Sequence, residues 1–370
     1  MYLERSSALL RVDAANRARS HRHTARGEVG SKLTEKQGRA PRTVPPPSAV
    51  APGVWSIPIP FPNPLAYVLC YGIRVKEGVV LVDLGWDSDE AWDSLQLGLR
   101  RAGAHLGDVV GAVLTHLHPD HHGLAERIRN STGAWIAAHP AELPHVALDE
   151  QARDTHLAQM AGWLRRCGCP DSELAALASG ASEVRSRLAL VAPDVHLADG
   201  AEVPGTEGKL VALHTPGHTP GHLCLVDKSR KLLFTGDHVL PRVTPNVSWR
   251  PDVDPDPLAN FVASLGRLRP YTADYLALPG HEWAFDHLGK RLDELAEHHR
   301  ERLDEVESAV AAGAGTTWEV TRSITWHRLF ETLEPRARRS ALGETGSHLI
   351  RLANSGRIMD QDGVYVKSLT

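Results

Sequence analysis

From about residue 54 the chain alternates short apolar runs with Gly, Pro and Asp, the pattern of strands in a buried sheet. The runs fall at 66–71, 79–84, 109–115, 135–139, 209–214, 222–227, 231–236 and 275–279. Helical stretches lie between some of them, at 90–102 and 124–130. This order predicts an α/β sandwich or layered sheet.

Two regions break the rhythm. Residues 141–190 are helix-like, with Leu157, Met160, Ala161 and Leu164 at helical spacing, and they interrupt the strand series as a lid or substrate wall would. After Trp283 the strands stop, and Leu288, Leu292, Leu295, Leu303, Val306 and Val310 mark a long amphipathic helix. Residues 347–354 read as a further helix, and 357–359 face 364–366 across Gln361-Asp362-Gly363 as a hairpin. Residues 1–50 carry ten basic and four acidic side chains and end near Pro45-Pro46-Pro47. They read as a disordered basic tail rather than a transit peptide, because of the acids, and no secretory apolar core is present. The expected domains are therefore the tail 1–50, a sandwich over 51–287 with its insertion at 141–190, and a small winged-helix-like unit over 288–370.

Composition narrows the function. The 370 residues carry a net charge of −4, and with +6 in the first fifty the remainder holds −10, which disfavours a nucleic-acid partner. No apolar stretch approaches the 18 or so residues of a membrane span. Four irregularly spaced cysteines argue against a disulfide framework and for a reducing, cytoplasmic setting. Cys167-Gly168-Cys169 lacks a matching second pair and reads as incidental. Histidine is abundant, at 21 residues, and it clusters.

The segment Thr115-His116-Leu117-His118-Pro119-Asp120-His121-His122-Gly123 directly follows an apolar run, so its side chains project from the end of a buried strand. Imidazole nitrogens and a carboxylate oxygen suit Zn²⁺ and related divalent ions. One strand end cannot complete two coordination shells. Three others supply candidates: His218 and His222 in Thr215-Pro216-Gly217-His218-Thr219-Pro220-Gly221-His222, Asp237 in Thr235-Gly236-Asp237, and His281 in Pro279-Gly280-His281.

The order of these motifs resembles the metallo-β-lactamase superfamily, which includes glyoxalase II, over about residues 54–283. The resemblance implies an αββα sandwich with a helical insertion and a small C-terminal winged-helix-like domain. It implies one metal held by His116, His118 and His218, a second held by Asp120, His121 and His281, and Asp237 bridging both. Asp83, in Val82-Asp83-Leu84-Gly85, would support the ligands without binding metal. The expected cofactor is two Zn²⁺ per chain, with Fe or Mn as alternatives. A metal-bridging hydroxide would attack a carbonyl substrate, namely a thioester, ester or lactone, with Asp120 and Asp237 as catalytic residues and His222 assisting as a donor. The glutathione-contacting pattern of glyoxalase II is not evident in Pro241-Arg242-Val243-Thr244-Pro245-Asn246, so acyl thioesters in general fit better than that one substrate.

Other readings stand beside this one. His139, His145, His156, His214 and His238 read as structural residues, and His122 as pointing away from its liganding neighbours. A phosphodiesterase or endoribonuclease of the same fold is the alternative function, disfavoured by the acidic folded part. A diiron redox protein and an inactive regulator rank lower. A small-molecule acyl substrate is the expected partner, with no membrane, and the amphipathic helix after Trp283 serves packing or a homodimer surface.

Overall fold

The computed structural model describes residues 43–145, 150–186, 191–249 and 253–368. Most of the expected basic tail, and the side chains of His145 and His156, lie outside the described residues. The boundary expected at residue 50 runs through a strand: β1 (Ser48–Ala51) pairs with β2 (Val54–Pro60), so the sheet starts earlier than the apolar pattern indicates.

The first sheet continues through β3 (Tyr67–Val75), β4 (Gly78–Val82), β5 (Val109–Val113), β6 (Trp135–Ala138) and β7 (Val195–His196), adjacent in sequence order. Pairing is antiparallel from β1 to β4 and parallel from β4 to β7. The second sheet has the order β11 (Leu276–Pro279), β10 (Leu232–Gly236), β9 (Leu223–Asp227), β8 (Leu210–His214), with only the β10–β11 pair parallel.

Both faces of each sheet are covered, which is why the strands read as continuous apolar runs rather than alternating ones. In β3, Leu69, Tyr71 and Ile73 point to the core between the sheets while Val68 and Cys70 point to the outer layer, as a period of two requires. Leu225, Leu232 and Phe234 meet them from the second sheet. Outside the first sheet lie α1 (Asp89–Arg101), contributing Ala91, Leu95 and Leu99, and α3 (Ala125–Thr132), contributing Ile128. Ser88 caps α1 by accepting from the Ala91 N–H, and Asp89 and Glu90 stand at the electropositive end of the helix. Outside the second sheet lie α6 (Pro257–Leu268), with Leu258, Phe261 and Leu265, and the start of α7 (Leu288–Ala311), with Leu288, Leu292 and Leu295. The architecture is the expected αββα sandwich.

The insertion and the C-terminal segment meet. The insertion forms α4 (Glu150–Arg166) and α5 (Asp171–Ser186), and the segment after α7 forms α8 (Thr317–Ser323), α9 (Pro335–Asn354) and the hairpin β12 (Ile358–Gln361) with β13 (Val364–Lys367). Met160, Trp163 and Leu164 of α4 and Leu174 and Leu177 of α5 share one buried cluster with Trp318, Phe330, Ala341 and Leu342. Arg338 on α9 pairs with Glu173 on α5 at 2.9 Å. The two regions that sequence pattern separates thus build one helical cap. Cys167 and Cys169 sit inside it as free thiols, which burial pushes up to about 12. The hairpin turns on Asp362 and Gly363, both at positive φ, the two-residue turn that Asp-Gly favours.

Candidate metal centre

Each sequence-selected residue follows the end of a buried strand or lies in the loop joining two. Asp83 follows β4, and His116 and His118 follow β5. Asp120 and His121 sit on the single turn α2 (Pro119–His122), whose Pro119 opens the helix. His218 lies between β8 and β9, Asp237 follows β10, and His281 follows β11. The structure brings seven of them together: His116, His118 and His218 form one group of converging donor atoms, Asp120, His121 and His281 another, and His116, His121 and Asp237 a third that joins them.

His116 Nε2 and His218 Nε2 approach His118 Nδ1 to 2.9 and 3.0 Å. In the second group, His281 Nε2 lies 3.3 Å from Asp120 Oδ2 and 3.4 Å from Asp237 Oδ2. Asp237 also lies 3.5 Å from His121 Nε2 and 3.8 Å from His218 Nε2, between the two groups. Backbone shape permits this approach: a Cβ on Gly280 would fall 2.5 Å from Asp237 Oδ1 and 2.7 Å from His121 Cε1.

The outward nitrogens decide what the inward ones can do. Asp83 accepts the Thr115 N–H and hydroxyl and the His121 Nδ1–H, at 2.8, 2.9 and 2.8 Å. With its proton donated to Asp83, the Thr115 hydroxyl is left to accept from His116 Nδ1 at 3.0 Å. His218 Nδ1 donates to the Asn246 carbonyl and His281 Nδ1 to the Tyr67 carbonyl. In these four histidines the proton is therefore fixed outward and Nε2 faces the centre as the ligating nitrogen. His121 Nε2 and Asp237 Oδ1 are buried without a hydrogen-bond partner. Lone pairs and carboxylate oxygens that converge in this way are unfavourable together unless protons or a cation lie among them. The donor set fits divalent metal.

Charge separates the two groups. Burial, aided by the neighbouring imidazoles, holds His116 and His118 neutral, well below the usual histidine range. Burial would also lower His121 and His281, but Asp237, helped at His121 by Asp83 and at both by Asp120, outweighs it and raises both, His281 to about 10. Burial would raise Asp120 and Asp237, and there His121 and His281 outweigh it and hold both carboxyls well below their ordinary range. Metal entering the second group therefore displaces protons, and its affinity rises with pH.

The model of the metallo-beta-lactamase superfamily matches residues 64–281. The chain belongs to that superfamily. It is 25% identical over 305 residues to the probable metallo-hydrolase YqjP of Bacillus subtilis (strain 168), covering 80% of this chain and 91% of that one. It is 31% identical over 192 residues to the acyl-coenzyme A thioesterase MBLAC2 of Homo sapiens, covering 51% of this chain and 61% of that protein. A metallo-beta-lactamase family protein from Thermus thermophilus superposes with TM-score 0.72 at 28% identity, covering 86% of this chain and all of that one. A beta-lactamase domain protein from Burkholderia ambifaria gives TM-score 0.74 at 27% identity, covering 87% and 94%. This superfamily member is a metallo-hydrolase, and no helix among its described residues is long and apolar enough to cross a membrane.

The remaining histidines take other places. His222, expected to assist as a donor from behind the ligands, is fully buried behind Asp237, where its Nε2 accepts the Asp237 N–H at 3.2 Å and its Nδ1 meets the Thr215 hydroxyl. It positions the Asp237 backbone. His122 meets the His118 carbonyl through Nδ1 and also lines the cavity above the donors. His139 and His214 stack on each other, 3.9 Å between ring centres, and His238 packs on Phe261.

Two carboxylates escaped the sequence. Glu142, at the start of the insertion, accepts the Leu117 N–H at 3.0 Å and the Gly221 N–H at 2.8 Å, tying the loop of His116 and His118 to that of His218. Glu282, buried beside His281 at positive φ, pairs with Arg242 and accepts the Arg242 and Val243 N–H groups. Neither lies in a ligand-type cluster, so spacing carried no signal for them.

Above the centre opens a cavity of about 450 Å³, within the range of small-molecule sites. His118, Asp120, His218, Asp237 and His281 form part of its lining. Phe61, Leu65, Leu117, Leu240 and Val243 line it from the sandwich, and Met160, Trp163, Arg336 and Arg339 from the cap.

Proposed function

We propose that the chain is a dinuclear zinc-dependent hydrolase of acyl thioesters. One ion would be held by His116, His118 and His218, a second by Asp120, His121 and His281, with Asp237 shared, a glyoxalase II-like donor arrangement. The observation that carries this reading is the position of Asp237 between two groups of donor atoms, with the Nε2 lone pairs of His116, His121, His218 and His281 turned inward.

Divalent ions bound there supply Lewis acidity and an activated water at neutral pH. The rest is the work of the chain. Asp83 and Thr115 hold the ligating tautomers, and Glu142 keeps the two ligand loops in register. Asp120 lines the cavity as a carboxylate of lowered pKa, so it orients a donor there rather than storing its proton. Apolar side chains of the sandwich wall exclude water and accept an acyl chain. A thiol, with a pKa of about 8.5, leaves readily as thiolate, so the chain need not deliver a strong acid. The similarity to an acyl-coenzyme A thioesterase supports thioesters over esters and lactones. The C-terminal helices and hairpin have the order of a winged-helix-like unit, of which α9 lines the cavity, and this supports a part for that unit in the substrate site.

The test is metal analysis with a parallel screen of thioesters, esters and lactones. About two zinc ions per chain and preferential thioester hydrolysis are expected. In Asp237→Ala turnover falls at least about 100-fold, more than loss of a ligand's supporting partner costs. Undiminished turnover and zinc content in that variant would remove the shared carboxylate from the mechanism.

A further inference from the structure

The start of α9 reads Pro335-Arg336-Ala337-Arg338-Arg339, with no acidic residue in its first turn. Cations there oppose the helix dipole, so their placement answers to something outside the helix. Two of the three are accounted for by cap packing: Arg338 pairs with Glu173, and Arg339 donates to the Leu177 carbonyl. Arg336 is exposed, lines the cavity over the metal centre, and makes no hydrogen bond or ion pair among the described residues. On the same cap wall Trp163 is 4% exposed, and its indole Nε1–H is buried without a partner. The unpaired guanidinium and the residue carrying the unpaired, buried N–H line one cavity together with the donors of the centre and the apolar side chains of the sandwich.

We infer that Arg336, with Trp163 in the same cavity lining, is a specificity-determining residue that binds an anionic group on the substrate's thiol arm, a phosphate. The inference rests on the thioesterase reading and adds which thioesters the site selects. The apolar wall takes the acyl chain, the carbonyl lies at the metal donors, and the leaving arm runs under the cap with its phosphate on Arg336. Guanidinium matches phosphate with two parallel N–H···O bonds, which a lysine ammonium cannot reproduce. The same phosphate chemistry occurs in free coenzyme A and in the phosphopantetheine arm of a carrier protein.

The test uses the metal-loaded full chain and one acyl group on three thiols: coenzyme A, a phosphopantetheinylated carrier protein, and neutral pantetheine. In Arg336→Gln the ratio of kcat/KM on a phosphorylated thioester to that on the pantetheine thioester falls roughly 10- to 100-fold, the range for a charged hydrogen bond. The change resides in KM, Arg336→Lys restores part of it, and Trp163→Phe lowers the same ratio by less. A fall on both phosphorylated substrates supports the inference and places the contact on the shared phosphate. A fall on coenzyme A alone supports it and places the contact on the nucleotide end. An unchanged ratio overturns it, whatever happens to overall activity. Hydrolysis of the neutral thioester by the unaltered chain reports the thioesterase reading separately, since its absence sinks that reading.

Discussion

The floor of the cavity and its cap both join distant parts of the chain, and they do so with different interactions. At the floor, side chains and loop backbone at strand ends are held by directional hydrogen bonds that they donate to Asp83, Glu142 and backbone carbonyls. In the cap, helices from the insertion and the C-terminal segment are held by an apolar cluster around Leu164, Leu177 and Leu342, with few directional contacts. The difference teaches that ligand geometry here is fixed by the rigid sandwich, whereas pocket shape is fixed by packing between two segments more than a hundred residues apart. Chemistry and specificity are thus separable by mutation.

The largest expected effect is on the cap. Leu164 is fully buried in its cluster, so Leu164→Ala costs about 2–5 kcal/mol of stability, by lost transfer energy and a residual cavity. A calorimetric melt should show this while zinc per chain holds at the level of the unaltered protein. Loss of zinc in step with the cap would mean that floor and cap are one unit.

Asp83→Asn acts on the floor. It weakens the acceptor that sets the proton on His121 Nδ1 and, through Thr115, on His116 Nδ1. Zinc affinity measured by chelator competition should drop about 10- to 100-fold. Unchanged affinity would show that the tautomers are set by something other than this carboxylate.

The smallest effect concerns the seam between α7 and α9. His299 Nδ1 and His348 Nε2 meet at 3.2 Å in a buried site, and burial lowers both, His348 to about 4. Both are neutral in the fold, whereas the unfolded chain takes up protons below the ordinary histidine value of 6.5. Stability from this pair is therefore complete above that value and is lost as pH falls toward 4. At a pH of about 5.5 the loss is roughly 1 kcal/mol per histidine. Thermal midpoints of the unaltered chain and His348→Asn, compared at about pH 7.5 and about 5.5, should converge on acidification, with the contribution of the metal centre cancelling in the difference. Parallel curves would assign the seam no acid sensitivity.

The strands were legible because both faces of each sheet are buried, which turns β3, β4, β9 and β10 into unbroken apolar runs. The short β1 and β7 lack such runs, and β1 has exposed residues, so neither was marked by pattern. Helix α6, between the runs at 231–236 and 275–279, was not read from pattern although Asp256 caps it and Pro257 opens it. α9 begins twelve residues earlier than the helix read at 347–354, since its first half is rich in Arg and packs its small residues, Ala341 and Gly343, against the cap and Ser248.

By itself the sequence determined the sandwich and the chemical type of the centre, because burial leaves a periodic trace and ligand-type residues cluster at strand ends within a few positions. Only the tertiary structure decided that His222 serves a backbone N–H, that Glu142 ties two loops, and that α9 puts Arg336 over the cavity. These depend on distances between segments that share no local pattern. Such distances are set by sheet register and helix packing, which no single stretch of sequence encodes.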